Sequence, residues 1–428
     1  MRILVLTQYY PPETGAAQNR LSDLARRLRT AGHDVSVLTS MPNYPKGRIF
    51  PDYRGRLFCK ETLDEIGILR TWCYVSESRG FVARLLNYCS FAVLALIWSV
   101  LKNRQQDIII VESPPIFLGI TGLILSRWHG ARMIFNVSDL WPQSAVSMGV
   151  LRNKAAIRCA SELENYIYKH SYAITGQTEG IVEYIKDRVS VARVELVTNG
   201  VDPGRFADIS QRRSEIRSQF GFDNHFVVGY TGLHGLAQGL DTLLEAADIL
   251  RSKDGNILLV FFGDGPDKQR LQQQAIANNL ANVHFFPPQP AESMPNILRA
   301  LDAAIVPLRN VGLFSGALPS KLFECMAARL PVVLSISEGE ATRLVQRAVG
   351  GLCIPPEDPP AMAEAISKLA TDRELCITLG QNGHQYVCLH YDRREMARRF
   401  LDLFSADAEC AKDTQKYVHS IAQQESAD

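Results

Sequence analysis

The first forty residues alternate between short apolar runs and a segment whose apolar residues follow helical spacing. Ile3–Thr7 is almost entirely apolar, Leu21, Leu24 and Leu28 lie three and four residues apart, and Val35–Thr39 forms a second apolar run. A continuous apolar run is typical of a strand buried on both faces, and the wider spacing is typical of a helix with one buried stripe. The pattern therefore predicts a strand, a helix and a parallel strand.

The same alternation continues to about residue 200. Strands are predicted at Asp107–Val111, Met133–Val137 and Tyr172–Thr175, with helices at 116–128 and 153–170 between them. Because parallel strands need crossover helices, this order predicts a parallel sheet with helices on both faces. We assign residues 1–198 to this first domain.

Strands and helices begin again after a charged, irregular stretch at 199–224, which we interpret as a linker. Predicted strands are Phe226–Tyr230, Ile257–Phe262, Val283–Phe285, Ala303–Val306, Val332–Ser335 and Leu352–Ile354; predicted helices are 240–250, 319–329, 359–370 and 373–389. They define a second domain at 225–390, followed by a closing helix at 391–405 and a loose tail at 406–428. The expected fold class is α/β, with two doubly wound Rossmann-like domains facing across a cleft.

One apolar segment, residues 88–101, stands apart from these patterns. It is flanked by Arg79 and Arg84 before it and by Lys102 and Arg104 after it. At this length it is too short to cross a bilayer, which needs about 20 residues. Two interpretations remain: a helix buried under the first sheet, which composition alone favours, or a helix partly sunk in a membrane face with cationic ends near anionic lipid.

Composition narrows the chemistry. The net charge of +1 argues against nucleic acid as a partner, since duplex readers carry a marked basic excess. The nine cysteines are scattered singly, without zinc spacing, and there is no Asp-x-Asp motif. We therefore expect a reducing compartment, no metal and no other cofactor. The short apolar run at the N-terminus resembles a buried strand more than a signal peptide, so a cytoplasmic location is expected.

The stretch 312–334 carries the clearest chemistry. A loop holding Gly312, Gly316 and Pro319 leads directly into a helical pattern. Pro319 suits the first helical position, so the amides of Ser320 and Lys321 would point out of the helix with the positive end of its dipole behind them, as a phosphate site requires.

Glu324 follows Lys321 by three residues, which places a cation and a carboxylate side by side on a helix. A nucleoside diphosphate offers phosphates to the lysine and ribose hydroxyls to the glutamate. The alternative is an ordinary surface Lys–Glu pair on a packing helix.

Several short sequence motifs, taken together, resemble those of glycosyltransferase family 4, the group 1 retaining transferases with the GT-B fold. They are Thr198–Asp202, Tyr230–Gly232, Phe262–Pro266, Ala303–Leu308 and Pro319–Glu324 with Pro331–Val333. Pro319–Glu324 together with Asp139–Pro142 is similar to the branch that assembles bacterial surface polysaccharides, including L-fucosamine transferases of O-antigen and capsule clusters.

The resemblance implies site residues, although some family positions differ here. A pair of glutamates eight positions apart marks the family; Glu324 matches the second, and the first falls at Gly316, where a backbone group of Gly316 or Ala317 would hold the sugar instead. The family's arginine and lysine on the diphosphate fall at Leu233 and Gln238. The resemblance therefore leaves two phosphate cations to be replaced.

Lys321 and Arg309 are the predicted replacements. They would act with the amide of Ser320 and with the loop that contains Gly232 and His234. With Glu324 and with Gly15 of the first loop, these five residues are the expected nucleotide-binding residues.

The resemblance implies that the first domain binds the acceptor, with Asp139 as the polar group nearest the reacting centre. The competing interpretation is that Asp139 caps the following helix.

Glu13 and Gly15 lie in the first loop, where the backbone is expected to approach the donor phosphate or the acceptor. The alternative is that Gly15 is a simple turn residue. Glu112 ends another strand at the same edge, or belongs to a rigid loop only.

The resemblance implies a retaining transfer of sugar from a nucleoside diphosphate, expected to be UDP with N-acetyl-L-fucosamine as a candidate sugar, to a polyprenyl-diphosphate-linked glycan. On this basis membrane contact through residues 81–104 becomes the favoured interpretation, at the inner face of the membrane.

A nucleotide-sugar 2-epimerase and a non-catalytic partner subunit of an assembly complex remain alternatives. An NAD dehydrogenase is disfavoured because no Gly-x-Gly-x-x-Gly follows the first strand.

Overall fold

The computed structural model describes most of the chain. Outside the described residues lie 45–46, 78–79, 103, 148–150, 191–192, 208–212, 254–255, 312–315 and 405–428. The predictions for Gly312, Arg79 and the tail at 406–428 therefore fall outside the described residues.

The chain divides into two compact units. The first comprises residues 1–177, 181–197 and the described residues from 394 onward; the second comprises 178–180 and 198–393. Each unit is built around one sheet with helices on both faces.

The sheet of the first unit has eight strands among the described residues, in the order β3-β4-β2-β1-β5-β6-β7-β8. Their bounds are Arg2–Leu6 (β1), Asp34–Ser40 (β2), Phe58–Leu63 (β3), Ile66–Thr71 (β4), Ile108–Ser113 (β5), Arg132–Val137 (β6), Ala173–Gly176 (β7) and Val194–Leu196 (β8). The predicted strand-helix-strand start is confirmed, with β1 and β2 parallel.

The helices of this unit cover both faces of the sheet. They are Ala16–Thr30 (α1), Phe81–Lys102 (α2), Phe117–His129 (α3), Gln143–Ser147 (α4), Lys154–His170 (α5) and Glu179–Arg188 (α6). Alternate strand residues face opposite cores: Leu4 and Leu6 pack in the core that contains Phe91 of α2, and Ile3 and Val5 pack in the core that contains Leu21 of α1.

The hairpin formed by β3 and β4 was not predicted, and it corrects the expectation of an all-parallel sheet. β3 pairs antiparallel with β4 at the edge of the sheet. Charged residues such as Lys60, Glu61 and Glu65 interrupt the apolar pattern here. An edge strand needs only one buried face and tolerates such charges, so the hydrophobic signal is weak.

The sheet of the second unit is parallel, with the order β11-β10-β9-β12-β13-β14 among the described residues. Its strands are Phe226–Thr231 (β9), Ile257–Phe262 (β10), Val283–Phe286 (β11), Ala303–Pro307 (β12), Val332–Ser335 (β13) and Gly351–Ile354 (β14). The predicted strands are confirmed to within a residue or two at their ends, because continuous apolar runs mark them clearly.

The helices of the second half of the chain are Gly204–Ala207 (α7), Arg213–Phe220 (α8), Asp241–Lys253 (α9), Lys268–Ala277 (α10), Met294–Ala300 (α11), Ser320–Ala327 (α12), Glu340–Ala348 (α13), Pro359–Thr371 (α14), Arg373–His390 (α15) and 393–404 (α16). Short 3-10 helices lie at Pro51–Tyr53 and Leu236–Gln238. Nearly all of α16 belongs to the first unit, where Met396 and Phe400 join the core around β1.

Residues 199–224, interpreted above as a linker, carry α7 and α8 and belong to the second unit. On α8, Arg213 and Arg217 lie 2.6 and 3.0 Å from the buried carboxylate of Asp302. This carboxylate also accepts a hydrogen bond from the amide of Val227, so α8 is fixed to the ends of β9 and β12. The charged composition of the stretch thus reflects ion pairs within the second unit.

The apolar segment at 88–101 lies within α2, a helix of 22 residues. The prediction that it is too short to cross a bilayer was wrong, because the helix begins earlier, at Phe81; by length and composition Val82–Lys102 could cross one.

The burial of α2 is one-sided. Phe91, Ala92, Ala95 and Ser99 are buried, whereas Val82, Leu86, Val93, Ile97, Val100 and Leu101 are exposed. We call these six exposed residues the α2 apolar stripe.

Candidate active site

In the second unit, two tight loops meet where β9 and β10 end. Gly232 follows β9 and has a φ of +140°, a conformation that favours glycine. Its amide donates to the carbonyl of Phe262 at 2.9 Å. A Cβ added at Gly263 would lie 1.9 Å from the carbonyl oxygen of Gly232, so the two backbones touch. These glycines allow the loops to pack at the carboxyl edge of a parallel sheet, where ligands bind in such folds.

Lys321, in the first turn of α12, places its ammonium against this loop. Nζ donates to the hydroxyl of Tyr230 at 2.8 Å and lies 4.1 Å from the centre of that ring. A Cβ on Gly232 would come within 3.0 Å of Nζ, so the glycine leaves the space that the ammonium occupies. Burial lowers the pKa of Lys321 to about 8. Lys321 forms no ion pair with a carboxylate of the described residues.

The start of α12 differs slightly from the prediction. Pro319 is the N-cap and Ser320 the first helical residue, because the amide of Leu322 already donates to the carbonyl of Pro319 at 3.0 Å. No side chain caps this end of the helix. The amides of Ser320 and Lys321 precede that first hydrogen bond, and they find no acceptor in the described part of the chain. Two donors therefore accompany the lysine at the positive end of the helix dipole.

Glu324 lies one turn after Lys321 and is half-buried. The alternative of an ordinary Lys–Glu pair is not what the structure contains, since Lys321 binds Tyr230 instead. The carboxylate of Glu324 has no hydrogen-bond partner among the residues that the structure describes. Gly316 precedes this helix, and a Cβ there would meet no atom of the described residues within 4 Å. Steric constraint is therefore not the reason for glycine at position 316.

His234 is fully buried beneath the same loop. Its ring packs 5.8 Å from Tyr230 and 6.1 Å from Phe261 and Phe285, between ring centres. Burial, aided by the charges of Lys268 and Lys321, lowers the pKa of His234 to about 4. The imidazole is thus neutral at pH 7 and contributes no positive charge to a phosphate site.

The backbone of His234 fixes the loop on both sides. Its amide donates to the carbonyl of Asp264 at 2.9 Å, and its carbonyl accepts from the amide of Asp267 at 3.0 Å. Lys268 nearby uses its ammonium to bind the carbonyls of Gly263 and Phe286 at 2.7 and 3.0 Å. The structure therefore shows His234 and Lys268 as supports of the two loops.

Arg309, predicted to replace a missing phosphate ligand, is ion-paired within the second unit and does not present a free cation. Its guanidinium contacts Asp241 at 2.8 Å, Glu357 at 3.1 Å and the carbonyl of Leu236 at 2.6 Å. All three nitrogens are engaged, so Arg309 braces the turn at 236–238. These long-range ion pairs could not be read from sequence spacing.

In the first unit, a buried polar network joins the carboxyl ends of β5 and β6. Arg20 on α1 lies 2.6 Å from a carboxylate oxygen of Glu112 and donates to the hydroxyl of Ser138 at 2.9 Å. Asn136 donates to the other oxygen of Glu112 at 2.5 Å, and Ser138 also bonds to Glu112. Glu112 is therefore more than part of a rigid loop, and Arg20, which sequence reasoning missed, is its counterion.

Glu13 is buried and fastens two loops together. Its carboxylate accepts hydrogen bonds from the amides of Asn43, Tyr44 and Tyr10 at 2.7, 2.8 and 3.2 Å. Burial raises its pKa to about 7, although these hydrogen bonds oppose the shift.

Gly15 is the N-cap of α1 with a φ of 171°, an extended conformation open to any residue, so the backbone does not require glycine there.

Asp139 borders a cavity of about 140 Å³ within the first unit. The lining is mostly apolar and aromatic, and includes Tyr88, Pro115, Phe117 and Trp141, with Arg84 at one side. Burial raises the pKa of Asp139, and hydrogen bonds from Ser144 and from the amide of Leu140 oppose that shift. Since Ser144 belongs to α4, Asp139 both contacts that helix and faces the cavity.

Within the described residues, His, Cys, Asp and Glu side chains form no group of three that could hold a metal ion.

Sequence profiles of two families match the chain. The family described as "Glycosyl transferases group 1" matches residues 212–386, and the "Glycosyl transferase 4-like domain" matches residues 15–200. Over most of its length, the chain is similar to WcaI of Escherichia coli K12, a glycosyl transferase assigned by name to colanic acid biosynthesis. The two are 26% identical over 416 residues, which cover 94% of this chain and 99% of WcaI.

Solved structures agree on the fold. A sucrose-phosphate synthase from Thermosynechococcus elongatus superposes with a TM-score of 0.73 and 17% identity, covering 96% of this chain and 99% of that one. HepE from Anabaena, solved in complex with UDP, superposes with a TM-score of 0.71 and 17% identity, covering 95% of this chain and 100% of HepE. The predicted α/β fold of the GT-B class is therefore confirmed. With the two profiles matching successive parts of the chain, it belongs to the group 1 glycosyltransferases and is a glycosyltransferase.

Proposed function

We propose that this glycosyltransferase moves a sugar from a nucleoside-diphosphate donor to a lipid-linked glycan during assembly of a bacterial surface polysaccharide. One observation carries the proposal: the ammonium of Lys321, without a carboxylate partner among the described residues, lies beside Gly232 and the first amides of α12. Such a group of donors suits a diphosphate. The polysaccharide pathway is proposed from the similarity to WcaI.

The proposed donor nucleotide is UDP, the ligand seen in the HepE structure. Lys321 and the amides of Ser320 and Lys321 would bind the diphosphate, and Glu324 would accept hydrogen bonds from the ribose hydroxyls. When the bond between the anomeric carbon and the diphosphate oxygen breaks, its electron pair goes to the diphosphate. The cation and amides stabilise that developing charge, and we propose that no metal is required.

For the acceptor we propose a polyprenyl-diphosphate-linked glycan, with the sugar transferred with retention of configuration. The cavity beside Asp139 would receive the acceptor, because aromatic walls with a few polar groups suit a sugar or lipid headgroup. The α2 apolar stripe would lie on the inner face of the membrane, so the enzyme would be peripheral and cytoplasmic. N-acetyl-L-fucosamine is the first donor sugar to test.

The experiment is a turnover assay with purified protein, a panel of UDP-sugars and lipids extracted from bacterial membranes. We expect UDP release that requires the lipid fraction, with the sugar recovered on lipid. Isomerised nucleotide sugar formed without lipid would instead identify a 2-epimerase. Failure to bind any nucleotide would favour a non-catalytic partner subunit. The supporting observation is the glycine at position 316, where the family has the first glutamate of its pair.

A further inference from the structure

A second cavity of about 390 Å³ lies in the first unit, away from the carboxyl edge of the sheet. Its walls come from the first residues of β1 and β2, from β3 and β4, and from the chain just after α2. Because α2 follows β4 and returns to the start of β5, its C-terminal end lies at the amino ends of the parallel strands. The cavity is therefore at the opposite end of α2 from the cavity beside Asp139.

Small and polar residues form the floor of this cavity where α2 ends. Ser36 on β2 is paired with Gly67 on β4, and Gly67 is paired with Thr62 on β3. Ser36 and Gly67 lie two residues before Leu38 and Leu69, which pack in the core beneath α2, so they share that face of the sheet. A Cβ on Gly67 would meet nothing within 4 Å. The face of the sheet is thus open beyond the helix.

Three cations stand at the rim without a carboxylate partner among the residues that the structure describes. Lys60 donates to the carbonyl of Lys102 at 3.4 Å, and the ammonium of Lys102 lies 5.5 Å from the ring centre of Phe58. Arg104 forms no ion pair within the described residues. Two further cations at the cavity, Arg2 and Arg29, do have partners.

The acidic residues at this cavity do not neutralise the three rim cations. Asp34 lies 3.9 Å from Arg29, and Glu61 lies 2.5 Å from Arg70. Glu65 is the one lining carboxylate left without an ion pair in the described structure. Three unpaired cations against one unpaired carboxylate favour an anionic ligand.

The rim is continuous with the α2 apolar stripe. Leu101, the last residue of the stripe, precedes Lys102 and is 64% exposed. Phe58 packs against Trp98 of α2, with ring centres 4.3 Å apart, and lies two residues before Lys60 on the same face of β3. An apolar surface that ends in cations matches the boundary between acyl chains and phosphates in a membrane.

We propose that this cavity binds the phosphate of an anionic membrane lipid, with Lys60, Lys102 and Arg104 as its ligands. The inference rests on the proposed contact of the α2 apolar stripe with the membrane. The site would hold one end of α2 at the lipid surface and so orient the opposite end, with its acceptor cavity, toward lipid-linked substrate.

The test is flotation of the full chain with vesicles of phosphatidylcholine alone or mixed with phosphatidylglycerol. Wild type is expected to bind the mixed vesicles more tightly. The triple variant Lys60→Gln, Lys102→Gln, Arg104→Gln should lose affinity for mixed vesicles on the order of 100-fold and change little on phosphatidylcholine alone. The matched control Arg343→Gln, Arg347→Gln, Lys368→Gln removes the same charge from exposed residues of the second unit and should bind as wild type does.

Other outcomes would overturn the site. Equal loss in both triple variants would show a non-specific charge effect. Release from mixed vesicles by inorganic phosphate, beyond the effect of chloride at equal ionic strength, would identify a free-phosphate site. If the cavity variant binds both kinds of vesicle as wild type does, the cavity is not a lipid-phosphate site, while the proposed membrane contact of α2 is retained. If wild type binds neither kind of vesicle, the proposed membrane contact of α2 is contradicted as well.

Discussion

At the scale of single residues, Lys321 is a buried cation without an ion pair to a carboxylate of the described residues. Its ammonium bonds to a phenol that donates its own proton to the carbonyl of Leu233 at 2.6 Å, and burial disfavours its charged form. The carboxylate of Glu324 favours the charged form without forming an ion pair with Lys321, so an arriving anion can contact the ammonium directly. Desolvation therefore destabilises the charged lysine in the free protein, and this preformed charge is then available to stabilise a bound anion.

The affinity for UDP should consequently fall as the pH rises through about 8. In the free protein Lys321 loses its proton near that pH, whereas a bound diphosphate raises its pKa, so binding above pH 8 must take up a proton. The expected loss approaches roughly ten-fold per pH unit above the free pKa. Calorimetric titrations across this range, in buffers of different ionisation enthalpy, measure both the loss and the proton uptake.

Lys321→Met should remove this pH dependence, and Lys368→Met, a matched change at an exposed lysine on α14, should keep it. A wild-type affinity that stays level between pH 7 and pH 9.5, or the same slope in Lys321→Met, would rule out Lys321 as the titrating ligand.

Two glycines form a matched pair at the same site. Gly232→Ala should weaken UDP binding by about ten-fold or more, because its Cβ would displace the ammonium of Lys321 and its φ of +140° strains any other residue. Gly316→Ala should change neither affinity nor melting temperature, since its Cβ enters open space. Binding and thermal unfolding of both variants check this; equal losses would mean that the proximity of Gly232 to Lys321 is irrelevant.

At the scale of elements, Glu13 fastens the loop after β1 to the loop after β2. Its pKa of about 7 in the fold exceeds its ordinary value of 4.5, so the folded state holds more protons than the unfolded state between these pH values. The free energy of unfolding should therefore fall as the pH rises from 4.5 to 7, with a slope of at most about 1.4 kcal/mol per pH unit from this group.

Glu13→Gln should flatten that slope, and urea unfolding at several pH values measures it. Glu164, buried against the hydroxyls of Tyr168 and Tyr184, also has a pKa of about 7 and contributes with the same sign. Glu164→Gln should thus flatten the slope further when combined with Glu13→Gln. A slope unchanged in both single variants would contradict the burial-induced pKa shifts.

The α2 apolar stripe makes a separate prediction. Val93→Asp, at a residue 56% exposed, should leave stability within about 0.5 kcal/mol and weaken vesicle binding on the order of ten-fold or more. Ile276→Asp on α10, at a residue 76% exposed, is the matched control and should bind vesicles as wild type does. Vesicle flotation and thermal unfolding test both; unaltered flotation of Val93→Asp would remove the stripe from the proposed membrane surface.

Elements with continuous apolar runs were predictable from sequence, and those at sheet edges were not. β9, β10 and β12 are buried on both faces, so their residues alone mark them as strands. β3 is an exposed edge strand whose burial pattern carries little signal. The length of α2 was underestimated because its first residues, which include Arg84, interrupt the apolar run.

At the scale of the whole molecule, the family motifs pointed to the loop at Gly232 and the start of α12, and the structure brings the two together. What sequence could not supply were the long-range partners: Tyr230 under Lys321, Asp241 and Glu357 on Arg309, and Arg20 on Glu112. Such pairs join residues tens of positions apart and leave no local pattern. Arg309 illustrates the consequence: the resemblance suggested a phosphate ligand, and nothing in the sequence indicated its ion pairs with Asp241 and Glu357.

The most direct measurement is the equilibrium binding of UDP to wild type and to Lys321→Met at pH 7. We expect wild type to bind UDP and the variant to bind it ten- to 100-fold more weakly, the loss of one charge-assisted interaction with a diphosphate of roughly 1.5–3 kcal/mol. Equal affinities, or no binding of UDP by the wild-type chain, would contradict the assignment of the donor site to Gly232, Lys321 and the first turn of α12.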